Sequence, residues 1–290
     1  PLRNAGLARS MCDYIVGINC SRSLTLAGKG KTLSAGRVQS VVLSLIYDRQ
    51  VARETFEPET YYTLKGMFQQ GDFTYEASYK GDRLTEPETV RQIIESVEQQ
   101  EGTCTVEDKT KYQEPPLLPN LTDVAVLANQ RHNFKVSRTT KILESLYLKK
   151  LITYPRSSSR HVTPNEYPLM RAAYWVLIEV YPNLQKGGDI SRLNLNNPRV
   201  FDATLVGDHH AILPEVAVPH NLTEEEQLVY QIIVERFFLQ FQAPVKSLQR
   251  KVITKVANHT FQKTFKKIED NGWKGLQLNF DHDYQEDEID

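Results

Sequence analysis

Hydrophobic positions follow two spacings along this chain, and each spacing predicts a different kind of element. Residues 1–55 repeat apolar side chains every three or four positions, which predicts two helices joined by a loop. Residues 60–79 and 247–266 carry short runs of aromatic and β-branched side chains around turns, which predicts two β-hairpins. A helix near 90–97 and a strand near 103–114 are expected after the first hairpin.

Helical spacing returns between the two hairpins, after three prolines at 115, 116 and 119 that disfavour helix. Four further helices are predicted there. The expected N-caps of these helices and of the second N-terminal helix are hydroxyl side chains: Thr122, Ser137, Thr163, Thr223 and Ser34. The second N-terminal helix is expected to bury an apolar face of Val38, Val41, Val42, Leu45 and Ile46. This order of elements predicts a multidomain α+β fold, in which the two ribbons pair into one sheet and the helical segment is inserted between them.

Charge is balanced over the whole chain but not along it. The 290 residues include 35 Lys and Arg against 36 Asp and Glu, a net charge of −1, which argues against a uniformly basic nucleic-acid binder. Residues 131–161, however, hold eight basic residues and one acid, residues 245–267 hold seven basic residues and no acid, and the last ten residues hold six acids. A solvated surface explains either basic segment alone, whereas the two together favour a phosphate backbone as partner.

Other patterns exclude several classes of protein. Cys12, Cys20 and Cys104 are far apart and form no CxxC pair, so neither a structural zinc site nor a disulfide scaffold is expected. The low cysteine count fits a reducing compartment. No apolar run approaches the ~20 residues that span a bilayer, so no membrane association is expected.

The densest group of potentially reactive side chains lies at 151–159, directly after the most basic helix. A tyrosine phenol becomes a nucleophile only when it is activated, and Arg156, two residues after Tyr154, has the fork geometry that holds a phosphate. The hydroxyls of Ser157 and Ser159 could donate to phosphate oxygens. The alternative is that Tyr154 simply packs in a connection between helices.

Two further groups could bind phosphate. In Asp208–Pro214, His209 could orient a phosphate or transfer a proton, and a metal role for the adjacent histidines is the weaker interpretation because no third ligand is near in sequence. In Ser34–Ser40, small residues and Arg37 at a helix N-terminus form a potential anion site. On spacing alone, an ordinary N-cap followed by an exposed first turn is the simpler interpretation of Ser34–Ser40.

These motifs resemble those of type IA DNA topoisomerases, and their residues are more similar to the topoisomerase III branch than to topoisomerase I. The active-site tyrosine motif is similar to "LITYPRSSSR" at 151–160, and the hallmark groove helix is similar to "SAGRVQSVVLSLIYDR" at 34–49. Three more segments match in order and spacing: "LARSMCDYIVGINCSR" at 7–22, "EPPLLPNLTDV" at 114–124 and "VFDATLVGDHHAILP" at 200–214. The resemblance covers nearly the whole chain.

The resemblance implies an enzyme shaped as a gated torus that cleaves and reseals one DNA strand without ATP, and so relaxes negative supercoils or decatenates DNA. Tyr154 would be the nucleophile that becomes linked to a 5′ phosphate, Arg156 its phosphate partner, and His209 the motif histidine. The expected contacts with single-stranded DNA are Arg9, Arg22, Ser34, Arg37, Gln39, Lys149, Ser157, Ser159 and Arg160. A helicase is a candidate partner, and a cytoplasmic, nucleoid-associated bacterial monomer is expected.

The resemblance also implies a division into domains. Residues 1–57 would form the first half of the DNA-groove domain, and residues 58–116 with 243–280 a β-rich arch. Residues 117–242 would form the tyrosine domain with a helix-turn-helix-like core, and 281–290 an acidic tail. Family members bind Mg²⁺ through a Toprim domain that nothing here matches, and Ser158 stands where many relatives have Asp. We therefore expect an internal fragment that holds no metal or cofactor of its own, binds single-stranded DNA weakly and does not relax plasmid.

Two other classes use similar residues. Tyrosine recombinases combine Tyr, Arg and His on DNA, but they place a His-x-x-Arg motif before the tyrosine, and here no such motif occurs and Tyr154 precedes His209. A non-enzymatic DNA-binding module could use the helix-turn-helix pattern of 122–150. Such a module needs no Tyr-Pro-Arg loop after its second helix.

Overall fold

A computed structural model describes residues 2–28 and 31–276, and these residues divide into two compact units. One unit comprises the chain up to Tyr62 together with Arg83–Arg91, and the other comprises Thr63–Asp82 together with the chain from Gln92 onward. The predicted acidic tail at 281–290 and the last residues of the predicted arch lie outside the described residues. The mixture of helices and antiparallel strands confirms the predicted α+β class.

The first unit is helical, as predicted, with α1 at Leu2–Ala27 and α2 at Arg37–Glu54. The segment between them is fastened to α1, because the Ala35 N–H donates to the Ser21 hydroxyl at 2.9 Å. The expectation that Ser34 caps α2 was wrong: Gly36 is the N-cap, and the Ser34 hydroxyl accepts from the Gln39 side chain instead. The apolar face predicted to be inward is exposed, since α2 buries no residue within the described structure.

The two ribbons form one antiparallel sheet, which confirms the predicted pairing. Its strands are β1 (Lys65–Gln70), β2 (Phe73–Tyr79), β3 (Thr103–Gln113), β4 (Val245–Val256) and β5 (His259–Asp270), in the order β1-β2-β5-β4-β3. Helix α3 (Pro87–Val97) lies between β2 and β3 in the sequence. One face of the sheet buries a small apolar cluster of Tyr75, Ala77, Val252 and Phe261.

The inserted helical segment holds the largest core. Its helices are α4 (Leu121–His132), α5 (Val136–Leu148), α6 (Tyr167–Val180) and α7 (Glu224–Phe238), with short 3₁₀ turns in the predicted irregular stretch before α7. The core joins α4, α5, α6 and α7, and its fully buried members include Leu143, Leu146, Tyr174, Phe237 and Phe241. These helices position the candidate site because α5 ends, and α4 begins, directly beside it.

Two of the predicted caps in this segment were misplaced. Asn120 rather than Thr122 caps α4, through a capping box with Asp123, and Lys135 precedes α5 with no side-chain cap, so Ser137 lies inside the helix. The Asn side chain competes well for this role because its carbonyl accepts from the third N–H of the helix. Thr163 caps a 3₁₀ turn before α6, and Thr223 forms the predicted capping box with Glu226.

Candidate active site

The loop that carries Tyr154, residues 151–161, is fixed at its start by core packing. Leu151 and Ile152 are fully buried, and the Leu151 N–H donates to the Leu146 carbonyl at 3.0 Å, which closes the end of α5. Two hydrogen bonds of 2.9 Å then join Thr153 to Leu213. The Thr153 N–H donates to the Leu213 carbonyl, and the Leu213 N–H donates to the Thr153 hydroxyl. Tyr154 therefore follows a segment with little freedom to move.

The predicted histidine segment, Asp208–Pro214, lies directly against this loop. The Ser157 hydroxyl donates to the His209 carbonyl at 2.9 Å and accepts from the Ser159 N–H at 3.1 Å. The Ser159 hydroxyl donates to the Leu205 carbonyl at 2.9 Å. Both serines are buried, so their hydroxyls hold the loop together and do not face a ligand. Their expected DNA contacts stay predictions that this geometry does not favour.

The Tyr154 ring lies against two other rings. The His209 ring is at 4.2 Å between centroids, and the Tyr147 ring is at 5.5 Å in an edge-to-face arrangement. The Tyr154 side chain remains 36% exposed, so a strand of DNA could reach its hydroxyl. The structure thus brings together two residues that are 55 positions apart and were singled out from the sequence. It adds Tyr147, which no sequence pattern indicated.

Arg156 faces the same surface and is paired with a carboxylate. Its guanidinium forms an ion pair with Glu144 of α5, and both side chains are well exposed. The hydrogen bond and charge of Glu144, followed by the nearby Tyr154, raise the pKa of Arg156 above its usual value. An exposed pair of this kind is weak, so an incoming phosphate can replace Glu144 as the partner of Arg156.

The N-terminus of α4 supports the loop from another side. The Asn120 amide donates to the Ser158 carbonyl at 2.9 Å, and Arg160 forms two bonds of 2.6 Å to the Asp123 carboxylate. Although partial burial opposes ionisation, the hydrogen bonds from Arg160 and the Asn120 N–H lower the pKa of Asp123. The sequence analysis did not identify Asn120 and Asp123 as residues of the site. Their Asn-x-x-Asp spacing, which is that of a capping box, was the signal that could have identified them.

The candidate DNA contacts in the first unit are exposed on α1 and at the start of α2. Arg9 and Arg22 lie on exposed positions of α1. Arg37 is the first residue of α2, and its guanidinium donates to Asp13 at 2.9 Å. Ser34 and Gln39 are joined by the side-chain hydrogen bond already described. These five residues stay predictions as DNA contacts.

Comparison with known proteins identifies the family of this chain. The profile of the protein family described as DNA topoisomerase matches residues 1–289. The chain belongs to the DNA topoisomerase family. It is similar to the DNA topoisomerase 3 of Staphylococcus haemolyticus strain JCSC1435, with 32% identity over 285 residues that cover 97% of this chain and 40% of that protein.

Two further comparisons agree with membership of the topoisomerase family. The DNA topoisomerase 3 of Staphylococcus aureus strain MRSA252 is 34% identical over 261 residues, which cover 89% of this chain and 36% of that protein. The chain therefore spans about two fifths of the length of these relatives. The full-length topoisomerase I of Thermotoga maritima has the same fold, with a TM-score of 0.63, 22% identity, and coverage of 99% of this chain and 48% of that one.

The basic segment at residues 131–161 is largely neutralised by ion pairs. Five of its eight cations face acids: Arg131 with Glu235, Arg138 with Glu225, Lys149 with Glu226, Arg156 with Glu144 and Arg160 with Asp123. Within the described part of the chain, Lys135, Lys141 and Lys150 form no ion pair. Similarly, Arg250, Lys251 and Lys246 of the second basic segment pair with Asp108, Glu107 and Glu269. A net charge counted along the sequence therefore overstates the local field.

Lys149 shows the effect most clearly. Its ammonium donates to the Glu226 carboxylate at 2.7 Å and to the Asn221 carbonyl at 2.9 Å. Burial opposes ionisation of Glu226, but hydrogen bonds from Lys149, Ser145 and the Thr223 N–H lower its pKa to about 2, from an ordinary 4.5. Lys149 therefore stabilises the junction of α5 and α7, and its predicted contact with DNA is not favoured by this geometry.

This depressed pKa predicts a pH dependence of stability. A carboxyl with a lowered pKa in the folded state stabilises the fold above its ordinary pKa, and the contribution is lost as the pH falls from about 4.5 towards 2. We expect Glu226→Gln to lower the free energy of unfolding by about 2 kcal/mol at neutral pH, and the difference from wild type to shrink below pH 4.5. Urea unfolding between pH 7 and 2.5 measures this, with Glu224→Gln as the exposed control. A difference that stays constant over that range would contradict the assignment.

Within residues 2–28 and 31–276, no group of three or more His, Cys, Asp or Glu side chains is placed to hold a metal ion. The described residues therefore do not fit the Mg²⁺ that the resemblance implies, which it assigns to a Toprim domain. No helix in the described part of the chain is both long and apolar enough to cross a membrane.

Proposed function

We propose that this chain is the tyrosine-bearing part of an ATP-independent DNA topoisomerase that cleaves one strand through a 5′-phosphotyrosine at Tyr154. The observation that carries this proposal is the exposed Tyr154 side chain on a rigid loop, in contact with His209 and near Arg156. Family membership and relatives named DNA topoisomerase 3 support DNA as the substrate. The relaxation of supercoils or decatenation by the whole protein belongs to the same proposal.

The chemistry balances without an external energy source. The Tyr154 oxygen attacks phosphorus and loses its proton, the bond from phosphorus to the 3′ oxygen breaks, and one phosphodiester replaces another. The His209 ring lies against the Tyr154 ring and is placed to accept that proton. Arg156, once it has exchanged Glu144 for the phosphate, stabilises the charge that develops on the phosphate. The 3′ hydroxyl then reverses the reaction and reseals the strand. The resemblance implies that the acid for the leaving 3′ oxygen belongs to a Toprim domain.

DNA binding is proposed to extend beyond this loop. Arg9, Arg22, Arg37 and Gln39 would hold the single strand in a groove formed by the first unit, and the five-stranded sheet would form the arch. Lys135 and Lys141 are exposed and form no ion pair with any described residue, so they are better placed to contact phosphate than Lys149 is. A helicase partner, a monomeric state and nucleoid association remain part of the proposal.

A labelled oligonucleotide tests the linkage. The longer protein, in which this chain is joined to the segments that its relatives carry, is incubated with a single-stranded oligonucleotide and then denatured. A 3′ label should move to the protein, while a 5′ label should remain on a shorter free oligonucleotide. Transfer of the 5′ label would indicate the opposite polarity of linkage, and no labelled protein with either substrate would indicate a binding module without chemistry.

The 290-residue chain alone should behave differently. We expect it to retard single-stranded DNA weakly, with an affinity that falls as salt rises, because phosphate contacts release counterions. It should not relax supercoiled plasmid, since the resemblance assigns the acid and the metal to a Toprim domain. Gel retardation and an agarose relaxation assay measure the two. Mg²⁺-dependent relaxation by the isolated chain would contradict this expectation.

A further inference from the structure

The orientation of the Tyr154 ring depends on packing rather than on a hydrogen bond. Its backbone follows the anchored Thr153, but among the described residues the Tyr154 hydroxyl has no hydrogen-bond partner. Among the described residues, the aromatic rings in contact with the Tyr154 ring are those of His209 and Tyr147. A half-exposed tyrosine whose hydroxyl forms no hydrogen bond populates several side-chain rotamers unless packing restricts it, and only some of them point the hydroxyl at a bound phosphate.

Tyr147 is itself held by a rigid element. It lies in the last turn of α5, next to the fully buried Leu146, and its carbonyl accepts from the Lys150 N–H at 2.9 Å. Its side chain is 42% exposed, so burial in the core does not account for an aromatic residue here. Its ring meets that of Tyr154 at an interplanar angle of 86°, the edge-to-face geometry that aromatic pairs prefer.

We propose that Tyr147 is a positioning residue that restricts the rotamers of the nucleophile Tyr154. The inference rests on the proposed function, because it matters only if Tyr154 reacts. Tyr147 acts through its ring: the edge-to-face contact, together with the His209 contact, holds the Tyr154 phenol in one orientation before DNA binds. The loss of Tyr147 should therefore slow cleavage and leave DNA affinity unchanged. Glu144, one turn earlier on α5, holds Arg156, so the same helix face orders both reactive side chains.

Three variants of the longer protein test this. We expect Tyr147→Ala to lower the single-turnover rate of adduct formation about 3- to 10-fold at saturating oligonucleotide, with the Kd for DNA within about twofold of wild type. Tyr147→Phe keeps the ring and should restore the rate. Leu148→Ala, which truncates a more exposed neighbour on α5, should match wild type. Equal rates in all variants would overturn the proposal, as would a Tyr147→Phe variant as slow as Tyr147→Ala.

A weaker affinity with an unchanged rate would also overturn it, because that result means that Tyr147 stacks on a DNA base. A second measurement does not depend on the chemistry. In the 290-residue chain, three-bond couplings of isotope-labelled Tyr154 should report one χ1 rotamer in wild type and Tyr147→Phe, and an averaged value in Tyr147→Ala. Averaging in wild type would refute the positioning role. An absent adduct in wild type, by contrast, would refute the proposed function alone.

Discussion

Replacing Tyr154 with Phe is expected to abolish the covalent adduct with single-stranded DNA. Removal of an attacking atom costs on the order of a thousandfold or more in rate, because no other group takes its place. The ring contacts with Tyr147 and His209 do not involve the hydroxyl, so the Phe variant should keep the fold and bind the oligonucleotide with a Kd within about twofold of wild type. Adduct formation is measured on denaturing gels, and affinity by fluorescence anisotropy.

Tyr112→Phe is the matched control, since Tyr112 is an exposed tyrosine on strand β3, away from the reactive loop in sequence. It should form the adduct at the wild-type rate. If the Tyr154→Phe variant still forms an adduct, the nucleophile is another residue. If it loses DNA affinity to the same extent as activity, the hydroxyl contributes to binding and not to attack.

Replacing Glu235 with Ala is expected to lower the free energy of unfolding more than replacing Glu225 or Glu226. Glu235 and Arg131 form an ion pair of 2.6 Å with side chains only 5% and 13% exposed, and the Gln231 amide donates to the other carboxylate oxygen at 2.8 Å. Removal of Glu235 takes away a buried carboxylate that pairs with the Arg131 guanidinium, and the loss of one partner of a buried pair costs about 3–5 kcal/mol. Urea unfolding followed by circular dichroism measures this change.

Glu225→Ala provides the comparison on the same helix. Its partner Arg138 and its own carboxylate are 56% and 38% exposed, so water solvates both groups after the change. The expected loss is at most about 1 kcal/mol. Similar losses of stability in the two variants would show that burial does not control the strength of these ion pairs.

The β-structure was the part of the fold that the sequence predicted best. Alternating aromatic and β-branched residues mark strands whether or not their partners are near in sequence, and the two predicted ribbons form one sheet. The helix faces were predicted less well. The spacing of Val38, Val41 and Val42 on α2 identifies an apolar stripe, but periodicity does not show what covers it, and in the described structure these residues are exposed.

The candidate site was predicted in part, for a related reason. Tyr154, Arg156 and His209 belong to motifs that are visible in the sequence, and the structure brings Tyr154 against His209. The contributions of Tyr147 and Glu144 depend on tertiary contacts of α5. Likewise, a count of charges along the chain could not show that Lys149 faces Glu226 across 77 positions.

The most direct test is to identify the residue that carries the DNA. The adduct of the longer protein with a single-stranded oligonucleotide is digested with a protease and a nuclease, and the modified peptide is sequenced by mass spectrometry. We expect a peptide that contains Leu151–Arg156, with a nucleotide attached to Tyr154 through its 5′ phosphate. A nucleotide on any other residue, or one attached to Tyr154 through its 3′ phosphate, would contradict this expectation.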